Sequence, residues 1–443
     1  MKLNAKKFFE LAKQEGIEAS DLNISKGHSL SVGIYHKEVD SLTQNETRVV
    51  NARGIVNGKF GSVTTEIIDK NTPQYLVNTI KRTAIAVESD DPAIIFKGSK
   101  KYHKRNLYNK DLLGKPTQEK IDLLLEIEKK LYAFDKRIND VIGVSYSEGG
   151  EETELLNSYG LKLKQKSAYF YIVGQVSAKQ GEEIRTGGDI FVGDDFKKFK
   201  IDEFVEKVAR DALNKLGSVQ CETKKYPVVL NNSVSATLTS FYIQSADAEE
   251  IQKQSSLFVD KLGIQVASKK FTVIENPLLP NINFRYFDDE GVATYKKFVI
   301  NKGILSMYAY TLETAQKANV EPTGNGYRGA GKAHAGFVNA IVKPGKKSEI
   351  ELYKDIKEGV LITSVEGLHA GMNPKSGNFS LQAEGFMIRD GKKAEPLALI
   401  TVAGNLVELF MNVKEVGNNS ELDLRSGIIS PSLRIKKLAI SGK

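Results

Sequence analysis

The chain has 443 residues, 41% of them apolar, with 63 lysines and arginines against 55 acids and a formal charge of +8. That length builds roughly two or three domains with real cores, and the single cysteine, Cys221, excludes internal disulfides and any multi-cysteine metal site. No apolar run is long enough to span a bilayer, and the opening MKLNAKKFFELAKQEG lacks the apolar stretch and cleavage site of a secretory signal, so a soluble cytoplasmic protein is expected.

Residues 5–14 read as a helix, with Phe8, Leu11 and Ala12 on one face and Gly16 as its stop. Strands are predicted over 22–34, which alternates through Leu30, Val32 and Ile34, then over 38–57 and 59–66, with Asn57-Gly58 at the turn. Thr72-Pro73 opens a helix to about residue 87, Thr72 capping free amides and Pro73 taking the first helical position. Residues 88–115 read as a long polar connection. The order then recurs. A helix from Thr117 carries Ile121, Leu124, Ile127, Leu131 and Phe134; strands follow over 138–148, 152–157, 162–178 and 183–192; a helix over 201–216 carries Phe204, Val205, Val208 and Ala212. Helix, antiparallel strands, helix, twice over, suggests a duplicated α+β unit. Hairpin-length turns argue against a parallel, doubly wound sheet.

The composition changes over 217–225. This gives an N-terminal α+β domain over 1–220, an antiparallel sheet with helices, and a C-terminal β-rich domain over 221–443. In the second domain a strand is predicted at 226–230 and partial helix over 233–258. Further strands are predicted at 271–275, 291–300, 304–308, 338–342, 360–364, 379–389, 396–402 and 433–440, with short helices at 311–317 and 405–412. So many short strands favour a closed or nearly closed antiparallel barrel or sandwich.

The charge does not read as a nucleic-acid interface. Lysines alternate with acids through 120–130, and the basic clusters at 97–105 and 434–437 are short. There is no base-stacking module and no helix-turn-helix, so a solvated, lysine-rich surface is the expectation.

Residues 367–391, GLHAGMNPKSGNFSLQAEGFMIRDG, crowd five glycines around His369 and Pro374 and run into a strand closed by Arg389-Asp390-Gly391. Two readings stand: a tight β-corner, or a rim that receives a ligand or an extended peptide. Of the five histidines (His28, His36, His103, His334, His369) no two have the spacing that puts imidazoles on one helical face for zinc. His334 and His369 both lie in glycine-rich stretches, and Asp288, Asp289 and Glu290 could add carboxylates. The alternative is a charged turn and separate surface histidines. No G-x-S-x-G elbow occurs, and the glycines from 324 to 331 do not frame a Walker loop, because Lys332 is not followed by Ser or Thr. Cys221 reads as packing rather than as a nucleophile.

The motifs nevertheless resemble the TldD/PmbA family, described as modulators of DNA gyrase and as cytosolic metalloproteases. The matching stretches are Tyr286-Phe287-Asp288-Asp289-Glu290-Gly291, Ile300-Asn301-Lys302-Gly303-Ile304-Leu305, Thr323-Gly324-Asn325-Gly326-Tyr327-Arg328, Asn373-Pro374-Lys375-Ser376-Gly377-Asn378-Phe379-Ser380, Ala403-Gly404-Asn405-Leu406 and Pro431-Ser432-Leu433-Arg434-Ile435. In the TldD branch an H-E-x-x-x-H helix and a C-terminal cysteine look like the zinc ligands, with the glutamate as general base. Counted from Gln252 to Ser256, that motif falls here on Thr239-Ser240-Phe241-Tyr242-Ile243-Gln244, and no cysteine follows Cys221.

The chain therefore looks like the PmbA branch, also called TldE. The resemblance implies a heteromer in which a TldD-like partner carries the zinc and cuts small or unfolded peptides, including leader peptides of modified microcins and labile antitoxins. This chain would bind no cofactor of its own. Thr239, Ser240 and Gln244 would mark the degenerate motif, and His369, Asn373, Asp288, Asp289 and Glu290 would be cavity or peptide-binding candidates. A homodimer is the other assembly open to it. Two rival readings are an autonomous metallopeptidase with a displaced site, and a modulator associated with gyrase or nucleic acid.

Overall fold

The computed structural model describes residues 2–88, 91–328 and 332–443. Residues 329–331, part of the glycine-rich stretch discussed as a Walker loop, and residues 89–90 of the long connection lie outside them. The chain divides into two compact units. The first is Met1–Asn214 with Pro280–Ala293 and Ala315–Ala333; the second is Lys215–Leu279, Thr294–Thr314 and His334–Lys443.

The first unit begins with α1 (Ala5–Gln14), whose free amides are met by the Asn4 side chain and whose Phe8 and Ala12 are buried. Strands β1 (Ala19–Tyr35), β2 (Glu38–Val56) and β3 (Lys59–Thr65) follow, then α2 (Thr72–Ile85). The β2–β3 turn has Asn57 and Gly58 at φ 50° and 72°, the tight turn that pair of residues predicts. At α2 the capping differs from expectation. The helix already includes Thr72, and the Asp69 carboxylate accepts the amides of Asn71 and Thr72 and the Thr72 hydroxyl.

Next come α3 (Lys110–Leu113), α4 (Thr117–Phe134), β4 (Ile138–Asn157), β5 (Lys162–Gln180), β6 (Glu183–Gly193) and α5 (Ile201–Leu213). The six strands form one antiparallel sheet in the order β3-β2-β1-β4-β5-β6. Its centre is the β1–β4 pairing, from Asp21 opposite Asn157 to Ile34 opposite Val144. The two halves thus repeat helix, three strands, helix about that centre. They also repeat a packing device. A Cβ on Gly61 of β3 would lie 1.9 Å from the Ile80 carbonyl of α2, and one on Gly187 of β6 would lie 2.2 Å from the Ala212 amide of α5. In each half a glycine lets the last helix touch the edge strand.

One strand prediction fails. β4 runs unbroken through Gly149-Gly150, where separate strands over 138–148 and 152–157 were expected. A Cβ on Gly150 would meet Leu113 at 2.5 Å, so these glycines serve close packing inside a strand.

The second unit carries β7 (Lys224–Leu230), α6 (Asn232–Gln244), α7 (Ala248–Gln252), β8 (Val273–Glu275), β9 (Lys297–Asn301) and β10 (Ile304–Leu305). In chain order α8 (Leu312–Ala318), β11 (Gly326–Arg328), β12 (Ala333–Ala335), β13 (Ala340–Val342), α9 (Glu349–Tyr353), β14 (Glu358–Glu366) and α10 (Leu368–Gly371) follow, of which β11 belongs to the first unit. The chain ends with β15 (Asn378–Arg389), β16 (Lys392–Asn405), α11 (Leu406–Met411), β17 (Val413–Val416), β18 (Glu421–Asp423), β19 (Ile428–Ser430) and β20 (Leu433–Ser441).

Strands β7, β14, β15, β16 and β20 close into a barrel. β7 pairs parallel with β14, the next contacts are antiparallel, and β16 meets β20 to complete the ring. Closure removes the sheet edges that five separate strands would expose. Its core includes Val228, Val360, Leu381, Ile400 and Ile435, and the same cluster extends to Tyr242, Phe271 and Phe410. A second, six-stranded sheet has the order β10-β9-β8-β13-β19-β18. The strand expected over 291–300 is confined to β9, and residues 291–293 belong to the first unit.

Candidate functional site

Helix α6 is where the sequence places the hydrolytic motif of the TldD branch. Asn231 caps it, its side-chain oxygen accepting the Val234 amide at 2.9 Å. Thr239 is fully buried, and its hydroxyl has no hydrogen-bond partner. The Ser240 hydroxyl donates back to the Thr237 carbonyl at 2.7 Å, and Gln244 Nε2 donates to the Ala335 carbonyl at 3.0 Å. Ser240 and Gln244 are thus engaged with two different backbone carbonyls. Hydroxyl and amide oxygens are also weak zinc donors beside imidazole and thiolate, so these residues do not fit the ion. Among the described residues, no group of three His, Cys, Asp or Glu side chains could hold a metal ion. At the other end of α6, Ser235 shares a 2.7 Å hydrogen bond with Ser430, and Asn232 and Ser233 donate to Glu421 and Asp423.

His369 lies on α10, four residues long, entered through Gly367 in the left-handed region at φ 76°. Its side chain is exposed. Asn373, also exposed, turns its side chain back on its own loop and accepts the amides of Lys375 and Ser376 at 3.0 Å each. Asn405 then holds this loop, donating to the Ser376 carbonyl and the Asn378 side chain. Two motif stretches far apart in sequence are joined here by amide side chains.

The acidic turn belongs to the first unit. Asp288 is 1% exposed and Glu290 8%. One Asp288 oxygen accepts the amides of Glu290 and Val292, and the other accepts the Gly326 amide. Asp289 is half-buried; it accepts the Arg328 amide and the Arg285 guanidinium. Burial, then the neighbouring Glu290 carboxylate, pushes Asp288 well above the usual carboxylate range. The turn thus binds its own backbone and the Gly326–Arg328 strand. Beside it, Asp21 and Arg53 form a buried pair 2.5 Å apart, with Arg328 3.7 Å from the same carboxylate. Burial works to raise Asp21, but Arg53 and Arg328 outweigh it and hold the carboxyl below its ordinary value.

His334 sits in the second unit, exposed, 3.5 Å from Glu249. Nearby Asp247 caps α7, accepting the Glu249 amide, and burial pushes it up to about 6, with Glu249 and Glu250 adding to the shift. This acid–imidazole grouping was missed from sequence, since nothing local marks residues 247 and 334 as neighbours. A cleft of about 510 Å³ on the first unit is lined by Lys26, His28, Arg48, Glu151, Glu152 and Lys166 among others. Its charges largely satisfy one another: Lys164 and Lys166 clasp Glu152 and pull it down to about 2.

An antiparallel sheet of two like halves and a closed five-stranded barrel carrying a capped helix and glycine loops define a two-unit α+β protein. Residues 223–442 match the PmbA/TldA metallopeptidase C-terminal domain, and residues 110–216 match the central domain. The chain belongs to the PmbA/TldD metallopeptidase family. It is 24% identical over 438 residues to a metalloprotease PmbA homologue of Haemophilus influenzae, covering 98% of this chain and 94% of that one. A proposed modulator of a DNA gyrase from Thermotoga maritima is 28% identical, with a TM-score of 0.91 over 99% of both chains. TldE from Thermococcus kodakarensis shares the fold, with a TM-score of 0.91 at 20% identity over 99% of this chain and 100% of that one.

Proposed function

We propose that the chain is the supporting, PmbA/TldE-type subunit of a cytoplasmic TldD/PmbA metalloprotease that degrades small or unfolded peptides. The observation that carries this reading is the donor set on α6: a buried hydroxyl at 239, a hydroxyl bonded to its own helix at 240, and an amide engaged with Ala335 at 244. Hydrolysis by bound zinc needs a polarised water and a base to take its proton. Neither a ligand set nor a carboxylate base stands at that position. In this account both come from a TldD-like partner.

The chain's own residues then bind and shape. His369 and Asn373, exposed on a loop held by Asn405, are placed to meet a partner or an entering peptide. In the first unit Asp288 and Asp289 brace the Gly326–Arg328 strand, and the turn they share with Glu290 shapes the cavity or the subunit contact. The test is a peptidase assay on an unfolded polypeptide. The chain alone should be inactive, and adding a TldD-like subunit should give zinc-dependent cleavage. Cleavage by the purified chain alone would overturn the assignment.

A further inference from the structure

Pro227 sits inside β7 and has no amide hydrogen to give to the barrel ladder. Opposite it the register slips: Ile435 faces Val228 and Leu438 faces Tyr226, so Lys436 and Lys437 together oppose one residue. A bulge of this kind turns extra side chains out of the sheet. Both lysines are exposed, as is Lys225 on the neighbouring strand. All three line one cleft of about 460 Å³, together with Asn405, Glu408 and Asn412. Among the described residues none of the three ammonium groups has a carboxylate partner, whereas the adjacent Lys224 is paired with Glu222 and Glu358.

We propose that this cleft binds the carboxylates of an acidic peptide segment. Three cations against the single Glu408 leave an excess positive charge in a concave site, where field lines are focused. Leu409 and Leu438 lie beneath the cleft, almost fully buried in the core, so its recognition is polar. Asn412 Nδ2 is held by the Glu408 carbonyl, which leaves its side-chain oxygen to accept a peptide N–H. The lining holds no aromatic ring on which a base could stack, and Glu408 opposes a densely charged phosphate backbone, so a peptide fits better than nucleic acid. The inference goes beyond the subunit assignment and does not need a partner chain.

The test is fluorescence anisotropy on the full chain, with a short labelled peptide alternating glutamate and serine as the probe. A glutamine–serine peptide and a labelled single-stranded oligonucleotide serve as comparisons. The acidic peptide should bind with a salt-dependent affinity that falls about tenfold in the Lys225→Ala/Lys436→Ala/Lys437→Ala variant, since each exposed pair contributes modestly. Lys392→Ala/Lys393→Ala, exposed at the start of β16, should change nothing, and thermal melts should show both variants folded. Equal binding of the glutamine–serine peptide, equal or tighter binding of the oligonucleotide, or no loss in the triple variant would each overturn the proposal. None of these outcomes bears on whether a TldD-like partner is needed for cleavage.

Discussion

The Asp288 carboxylate accepts the Gly326 amide at 2.9 Å, fastening the acidic turn to a strand 38 residues further along the chain. Two more amides, from Glu290 and Val292, reach the same side chain. A buried acceptor serving three donors is costly to delete, because each donor is left without a partner.

Asp288→Ala should therefore destabilise the first unit by about 3 kcal/mol or more, at about 1–3 kcal/mol per abandoned buried group. Asp288→Asn keeps an acceptor of the same shape without a charge. It should cost about 1–3 kcal/mol, less than alanine, because its one oxygen still accepts while its NH2 faces at least one of the amides that the second carboxylate oxygen served. Urea denaturation of the two variants checks this; equal losses in both would contradict it.

The strands, the helices and the repeated order of the first unit were readable from periodicity, turn pairs and caps. So was a closed or nearly closed barrel, from the number of short strands; its strand order was not, because it rests on β16 meeting β20 and on a parallel β7–β14 contact between residues more than a hundred positions apart. The glycines at 149 and 150 misled for a physical reason. A glycine that permits a turn and one that admits a neighbouring side chain look alike in sequence. Asp288, Asp289 and Glu290 read either as carboxylates of a cavity or as a charged turn, and two of the three are buried. Backbone amides and arginines from distant segments make that burial tolerable, and no local pattern announces them.

Asp247 gives a pH signature. Its folded value of about 6 lies above the ordinary carboxylate value of about 4. Its contribution to stability is thus complete below pH of about 4 and is lost as pH rises through about 6. Asp247→Asn keeps the α7 cap but cannot ionise. The variant should match the parent near pH 4 and exceed it by about 2–3 kcal/mol at pH 7. Paired denaturation curves across that range check the sign; a variant weaker than the parent at pH 7 would refute it.

Thr239 buries a hydroxyl with no partner. Thr239→Val replaces it with a methyl of similar size and should stabilise the chain by about 1 kcal/mol or leave it unchanged. Thermal melting decides this. A loss of stability would show that the hydroxyl has a partner the account does not include.

His369 is exposed and outside the core. His369→Ala should leave the melting temperature within the range of surface substitutions, about 0.5 kcal/mol. It should weaken association with a TldD-like subunit or slow peptide cleavage by the complex. Size-exclusion chromatography of the mixed chains and the peptidase assay read the two effects; no change in either would remove the 367–380 loop from the functional surface.

Metal analysis of the purified, full-length chain after dialysis against zinc and then against a weak chelator bears most directly on the supporting-subunit assignment. The account predicts a zinc content far below one ion per chain and no peptidase activity without a partner. One tightly held zinc per chain, with cleavage that depends on it, would contradict it.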